Sequence, residues 1–294
     1  MRDAIARFVH DGDTVVIEGF THLISFAAGH EIIRQKRRDL VLCRLTPDLI
    51  VDQMIAAGCA RKLVFSWAGN PGVGSLHAFR RAVEAGVPPL EIEEYSHFGM
   101  VARFCAGAAH LPFWPLRDYD GTDIPVVNPR IGQVTCPFTG EKLAAVPALN
   151  PDVTIVHAQR ADVDGNAQIW GLLGVQKEAA FASKHVIVVV EELVDSAVVR
   201  ADPNRTLIPG IIVDAVVVEP WGAHPSYAQG HYDRDNDFYV AWERISRDPA
   251  SLQSYLDAYV MGVEDRAGYL ALLPGLTERL SARAMMCGGV NYGY

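Results

Sequence analysis

Strand-like and helical segments alternate three times in the first hundred residues, and this alternation constrains the fold more than any other feature. Each β-rich segment leads through a loop rich in Gly, Pro or Thr into an amphipathic segment with helical periodicity. The strand and helix pairs are residues 13–18 with 27–35, 40–44 with 49–57, and 62–66 with 75–85. Such repetition is typical of a parallel sheet with crossover helices. We therefore predict an α/β fold with an open, mainly parallel sheet.

Further strands are predicted in the middle of the chain, where Val and Ile form continuous runs at residues 153–159, 185–190 and 211–219. A strand that faces water on one side alternates apolar and polar residues, and these runs do not alternate. Both faces of these strands are therefore expected to be covered by other elements.

Proline is frequent between residues 111 and 151, which predicts irregular structure with short strands and a boundary between two sub-layers. From about residue 240 the pattern becomes helical, most plainly at 241–245 and 249–262. We predict a single domain over residues 1–294 with a helical C-terminal extension. The tail at 285–294 is expected to be loose or docked on a partner.

The composition excludes several classes of function. Hydrophobic residues make up 50% of the chain, enough for a large core, and the formal net charge is -9. A chain this acidic is not expected to bind nucleic acid or an anionic membrane surface, since both need a basic face. No signal peptide or membrane-spanning run is evident, and five widely spaced cysteines suit free thiols. We predict a cytoplasmic protein.

Two loops that follow predicted strands are candidate binding sites. The first contains Glu18, Gly19, Phe20 and Thr21, and Gly19 would let a backbone amide approach a carbonyl or thioester oxygen. The second spans residues 67–75, where three glycines precede a Ser at a helix start. Its spacing matches neither a dinucleotide fingerprint nor a P-loop. Ordinary strand-to-helix turns remain the alternative for both loops.

Two polar segments are weaker candidates. Residues 91–97 combine glutamates, which are typical of a solvated face, with His97 at a predicted strand-to-helix connection. Residues 222–236 suit either a ligand loop or a subunit contact. A metal site built on its two histidines is poorly supported, because no helix-spaced partner or nearby cysteine is present. A serine hydrolase is equally unsupported, since no G-x-S-x-G motif occurs.

The order of short motifs along nearly the whole chain resembles the A subunit of class I, two-subunit CoA-transferases. The motifs include DAIARFVHDG at 3–12, GFT at 19–21, NPGV at 70–73, EEYS at 93–96, HAQ at 157–159, GAHPS at 222–226 and YDRDN at 232–236. Each is short, but chance does not place so many in one order.

The resemblance implies an active site in a cleft that the A subunit forms with a partner B-type subunit, in a hetero-oligomer of A–B pairs. In that family a glutamate of the B subunit is the nucleophile, so no residue of this chain inherits that role. CoA is a substrate, and no permanent cofactor or metal is expected. Substrate or CoA contacts are expected from Gly19, Phe20, Thr21, Asn70, Gly72, Ser75 and His97, and subunit contacts from His224, Ser226, Tyr232 and Asp235.

One departure from the family pattern affects the expected chemistry. Members commonly have Gly-Gly-Phe at the first loop, whereas Glu18 stands in the place of the first Gly. A carboxylate there opposes negative charge on a substrate oxygen unless it points away or stays protonated. Glu18 is expected to face solvent, pair with an Arg or cap a helix; alternatively it is the base of an acyl-CoA hydrolase on the same fold. A non-catalytic binding subunit is the third alternative.

Overall fold

The computed structural model describes residues 1–282, and the prediction for the tail at 285–294 lies outside them. Seven parallel strands form the core sheet, and five further strands extend it or build a second sheet. The strands are β1 (Thr14–Glu18), β2 (Leu40–Cys43), β3 (Ala60–Phe65), β4 (Glu91–Glu94), β5 (Phe113–Leu116), β6 (Gly132–Thr135), β7 (Lys142–Pro147), β8 (Val153–Ala161), β9 (Ala167–Gln168), β10 (His185–Leu193), β11 (Thr206–Ile208) and β12 (Ala215–Val218).

Helices cover both faces of this sheet, as crossover connections require. They are α1 (Arg2–Phe8), α2 (Phe26–Arg34), α3 (Leu49–Ala56), α4 (His77–Ala85), α5 (His97–Ala108), α6 (Ile124–Val127), α7 (Gln176–Ala182), α8 (Ser196–Ala201), α9 (Asn236–Arg247), α10 (Pro249–Tyr255), α11 (Arg266–Ala271) and α12 (Leu276–Leu280). A π-helical segment, Leu256–Met261, follows α10 directly.

The parallel strands lie in the order β12-β10-β8-β1-β2-β3-β4. The chain builds the sheet outwards from β1 to β4 and then returns to the other side of β1 with β8. The strand order therefore reverses between β1 and β8. Ligands of open α/β sheets bind outside the carboxyl ends of the strands at such a switch point, which is where the loop after β1 lies.

The predicted α/β fold with a mainly parallel sheet is confirmed, and so is the helical C-terminal region. Residues 111–151 contain the predicted short strands, which pair antiparallel in a separate sheet of order β5-β7-β6. The predicted strand at 211–219 is shorter than expected, because Gly210–Ile212 forms a 3₁₀ turn before β12 begins. Helix α5 begins at the predicted strand-to-helix connection, where its N-cap Ser96 accepts a hydrogen bond from the Gly99 amide.

The C-terminal helices pack against the N-terminal half of the chain. Trp242 of α9 is completely buried, and its indole Nε1–H donates to a carboxylate oxygen of Asp52 on α3 at 3.0 Å. The second oxygen of Asp52 accepts from the Phe79 amide at 2.8 Å. Burial is the main cause that raises the pKa of Asp52 to about 6, so its charge at neutral pH depends on these two donors.

We expect Trp242→Phe to lower the free energy of unfolding by roughly 2–3 kcal/mol at pH 8, because a buried carboxylate loses a donor. The folded-state pKa of Asp52 lies above its unfolded value, so acidification through pH 6 protonates the folded form and relieves the unpaired charge. The deficit should therefore shrink at pH 5. Denaturant unfolding at both pH values, with Trp114→Phe as the control, measures this, and an equal deficit at both would contradict it.

Candidate active site

The loop after β1 is tightly packed at Gly19. A Cβ atom at this position would lie 2.7 Å from the carbonyl oxygens of His22 and Leu23. Both atoms belong to the backbone, so they cannot rotate away as a side chain would. Only glycine therefore fits at the point where β1 passes into the loop.

The same loop holds strained backbone. Thr21 has φ +57° and Leu23 has φ +53°, the left-handed region, where each non-glycine residue costs about 1–3 kcal/mol. Hydrogen bonds to a distant segment hold this conformation: Ser226 Oγ donates to the Thr21 carbonyl at 2.9 Å, and the Leu23 amide donates to the Tyr227 carbonyl at 2.9 Å. Strain retained in this way is characteristic of functional loops.

An ion pair fixes the peptide that follows Gly19. Arg44 Nη1 lies 2.8 Å from Asp48 Oδ1, and both side chains are only 1% exposed. Arg44 Nη2 donates to the Gly19 carbonyl at 2.8 Å. Because N–H and C=O point in opposite directions in a planar trans peptide, the Phe20 N–H points away from Arg44. It makes no hydrogen bond to any residue among 1–282.

A cavity of about 440 Å³ lies beside this peptide, a size that suits a small organic ligand. Its walls come from the loops at the carboxyl ends of β1, β2, β3 and β4. They are formed by Phe20, Thr21, Arg44, Thr46, Asp48, Trp67, Pro71, Gly72 and His97. Four of the predicted substrate-contact residues, Phe20, Thr21, Gly72 and His97, therefore meet in one place.

His97 begins α5 at the cavity wall and bonds to the end of β3. Its Nδ1 lies 2.9 Å from Ser66 Oγ, which in turn lies 2.6 Å from the Leu45 carbonyl oxygen. Its ring also meets the Phe20 ring edge to face, with centroids 6.1 Å apart. The position predicted from the sequence is thus part of the cavity wall.

Asn70 and Ser75, which were also predicted to contact the substrate, do not line this cavity. Asn70 is 1% exposed and donates through Nδ2 to the Tyr239 carbonyl at 2.7 Å. The Ser75 amide donates to Glu243 Oε2 at 3.0 Å. Both contacts tie the loop after β3 to α9. These residues therefore hold the loop in place, and Gly72 and Pro71 form its cavity surface.

Glu18 does not face solvent, and it neither pairs with an Arg nor caps a helix, so the sequence interpretation was wrong. It is completely buried, and neither carboxylate oxygen has a hydrogen-bond partner among the described residues. Its Oε1 lies 3.1 Å from the position a Cβ would take on Gly174. Desolvation by burial is the main cause that raises its pKa, and the charge of Arg44 and the nearby backbone amides of Gly19 and Leu45 oppose that rise without cancelling it. Glu18 is absent from the cavity wall, and burial favours its neutral form, which does not oppose negative charge there.

The four residues predicted at a subunit interface are buried inside this chain: His224, Ser226, Tyr232 and Asp235. His224 bonds to Tyr269 through Nδ1 and to Asp235 through Nε2, each at 3.0 Å. The Tyr232 hydroxyl donates to Glu191 Oε1 at 2.5 Å. Such side chains are not available to a partner, so the interface prediction is wrong for them. Their segment supports the loop after β1 instead.

We expect Ser226→Ala to lower the free energy of unfolding by about 1 kcal/mol, because the buried hydroxyl donates one hydrogen bond to the strained loop. Ser281→Ala is a matched control, since its hydroxyl also bonds a backbone carbonyl but is exposed. Denaturant unfolding of both variants checks this. Equal losses of unfolding free energy in the two variants would show that the buried hydrogen bond to the loop contributes no more than an exposed one.

Part of the cavity wall was not predicted from the sequence. Thr46 and Asp48 follow β2, and the available signal was the loop of residues 44–48 between a predicted strand and helix. The two arginines near these loops differ in their surroundings. Arg44 does line the cavity, but Arg103 is buried on α5 with its Nη1 2.9 Å from Glu93.

Metal-binding groups and membrane-spanning helices are absent from residues 1–282. No group of three or more His, Cys, Asp or Glu side chains is placed to hold a metal ion in this part of the chain. None of its helices is long and apolar enough to cross a membrane. Cys43, Cys59, Cys105 and Cys136 are free thiols.

Comparison with known proteins extends the resemblance. The coenzyme A transferase family profile matches residues 1–219. The A subunit of the 3-oxoadipate CoA-transferase from Pseudomonas knackmussii is 56% identical over 92% of this chain and 96% of its own length. The glutaconate CoA-transferase structure from Acidaminococcus fermentans superposes with a TM-score of 0.90 at 33% identity, covering 96% of this chain and 94% of that one. The IpdA subunit of a cholesterol ring-cleaving hydrolase from Rhodococcus jostii is 34% identical over 54% of this chain and 57% of its own.

Proposed function

This chain belongs to the coenzyme A transferase family, as an A-type subunit, and we propose that it pairs with a B-type chain to transfer CoA to a dicarboxylic 3-oxo acid. The observation that carries the choice of acid is the 56% identity, over nearly the full length of both chains, to a 3-oxoadipate CoA-transferase subunit. CoA is a substrate of the reaction, with no permanently bound cofactor. We place the protein in the cytoplasm, in a hetero-oligomer of A–B pairs.

The cavity supports a shared active site because of the groups that its walls contain. Asp48 is the one carboxylate in the described wall, and it is bound to Arg44. No free carboxylate therefore remains on this side to attack an acyl carbon. The wall does offer the free Phe20 N–H, which suits the oxyanion that forms when a thioester carbonyl is attacked. A nucleophilic glutamate from the partner subunit would complete the site.

The proposed reaction proceeds in two balanced halves. The partner's glutamate attacks the thioester carbonyl, the C–S bond breaks, and an acyl anhydride forms as the CoA thiolate leaves. The thiolate then attacks the glutamyl carbonyl, which releases the donor acid as its carboxylate and leaves a glutamyl-CoA thioester. The acceptor carboxylate reverses these steps and departs as the new acyl-CoA. Water, oxidant and reductant take no part.

The test is to co-express this chain with the B-type chain of its host and to incubate the purified complex with succinyl-CoA and 3-oxoadipate. We expect mass spectrometry to detect 3-oxoadipyl-CoA, and a CoA-sized adduct on a glutamate of the partner subunit. Release of free CoA without formation of a new thioester would contradict CoA transfer and indicate an acyl-CoA hydrolase instead. A complex that binds no acyl-CoA would exclude both and leave a non-catalytic subunit.

A further inference from the structure

One nitrogen of the His97 imidazole, Nδ1, is hydrogen-bonded, whereas the other, Nε2, has no partner among residues 1–282. Ser66 has one hydroxyl proton, and the Leu45 carbonyl 2.6 Å away can only accept it. Ser66 Oγ must therefore accept from His97 Nδ1, 2.9 Å away, so Nδ1 carries a proton whether the ring is neutral or charged. Nε2 makes no hydrogen bond to any residue among 1–282, and the ring lines the cavity.

The ion pair in the described cavity wall leaves no positive charge over for a second carboxylate on the substrate. Arg44 and Asp48 form a closed pair whose charges cancel, and Arg44 also donates to the Gly19 carbonyl. His97 is the remaining titratable group in the described wall. Asp118, which lies beside the start of α5, is bound to the Ser96 hydroxyl. Because an unpaired carboxylate is costly to take out of water, a second carboxylate on the acyl group needs a counter-charge, and His97 is the group on this side of the site that can supply it.

We infer that His97 binds the distal carboxylate of the acyl group through Nε2–H, as an imidazolium whose Nδ1–H is held by Ser66, and thereby selects dicarboxylic over monocarboxylic acids. The inference rests on the proposed function. Ser66 is a positioning residue, because it orients the ring without touching the substrate. The rings of Phe20 and Trp67 form apolar walls for the methylene carbons between the two ends of the acid. α5 also begins at His97, so its N-terminal partial charge favours an anion here.

The test compares 3-oxoadipate with 3-oxohexanoate, which has the same chain length but lacks the second carboxylate, in the reconstituted A–B complex. We expect His97→Gln to reduce the ratio of kcat/KM for the dicarboxylic acid over the monocarboxylic one by roughly 10- to 100-fold, as for loss of a charge-assisted hydrogen bond. The change should fall mainly on KM, since the carboxylate binds alike in ground and transition states. Ser66→Ala should reduce the same ratio by a smaller factor.

A second readout is independent of turnover. Calorimetric titration of the complex with 3-oxoadipate should show weaker binding for His97→Gln than for the wild type, whereas 3-oxohexanoate should bind both alike. His10→Gln, on an exposed turn far from the cavity, is the matched control and should leave both readouts unchanged.

The outcomes separate this inference from the proposed function. Equal losses for both acids in His97→Gln, or an unchanged ratio, would overturn the assignment while CoA transfer by the wild type still stood. A wild-type complex that transfers CoA to neither acid would overturn the proposed function, and this inference with it.

Discussion

Replacing Arg44 with methionine should lower the free energy of unfolding by roughly 3–5 kcal/mol, the range for breaking a buried ion pair. The partner Asp48 is completely buried and would be left without its counter-charge. Burial raises the pKa of Asp48, and the charge of Arg44 is the largest effect opposing that rise. Without Arg44 the carboxyl accepts a proton more readily as the pH falls. The deficit should therefore be greater at pH 8 than at pH 5.

Two further variants make the Arg44 measurement decisive. Removing both charges in Arg44→Met/Asp48→Leu should recover much of the loss, because the desolvation of both ions is then avoided. Arg80→Met breaks an exposed pair with Glu84 and should change stability by less than about 1 kcal/mol. Denaturant unfolding measures all three variants. A loss for Arg44→Met as small as that for Arg80→Met would show that the buried pair contributes no more than a surface one.

Gly19→Ala should reduce kcat/KM of the reconstituted complex by roughly 100-fold or more. The new methyl group would lie 2.7 Å from two backbone oxygens, so the loop must move. That movement displaces the Phe20 amide, and loss of one oxyanion donor typically reduces kcat by about 100- to 1,000-fold. The effect should appear in kcat more than in KM, because the oxyanion exists only when the thioester is attacked.

Gly132→Ala is the control for Gly19→Ala. A Cβ on Gly132 would have its nearest neighbour at 3.9 Å, and Gly132 lies in β6 of the separate small sheet. Activity should be unchanged in this variant. Thermal unfolding of both proteins separates a loss of activity from a loss of folded protein. Gly19→Ala activity within threefold of the wild type would exclude an essential role for the geometry of this loop.

The sequence predicted which loops lie near the cavity better than it predicted the direction in which their side chains point. Phe20, Thr21, Gly72 and His97 follow strands of a predicted parallel sheet, and the structure brings them to one cavity. Asn70 is in the same loop as Gly72 but points inwards to Tyr239. Glycines and strand ends indicate where a ligand site can form. They do not indicate which residues of a loop face the ligand and which anchor the loop to the rest of the fold.

Glu18 and Ser226 illustrate what local sequence cannot resolve. A carboxylate at a strand end is usually exposed or paired, yet Glu18 is enclosed by the loop at Gly174, which is far away in the chain. Ser226 was assigned to a subunit contact, but its hydroxyl supports Thr21 across 205 positions of sequence. Both environments arise from segments that meet only after the sheet has formed.

The sequence by itself determined the α/β class, the parallel strands after each helical crossover and the loops at which binding is expected. It did so because hydrophobic periodicity and turn residues act over short distances along the chain. Only the tertiary structure decided that Arg44 pairs with Asp48, that Glu18 is buried and that His97 faces a shared cavity. The physical reason is that burial and charge pairing depend on the strand order, which places the ends of β1, β2, β3 and β4 side by side.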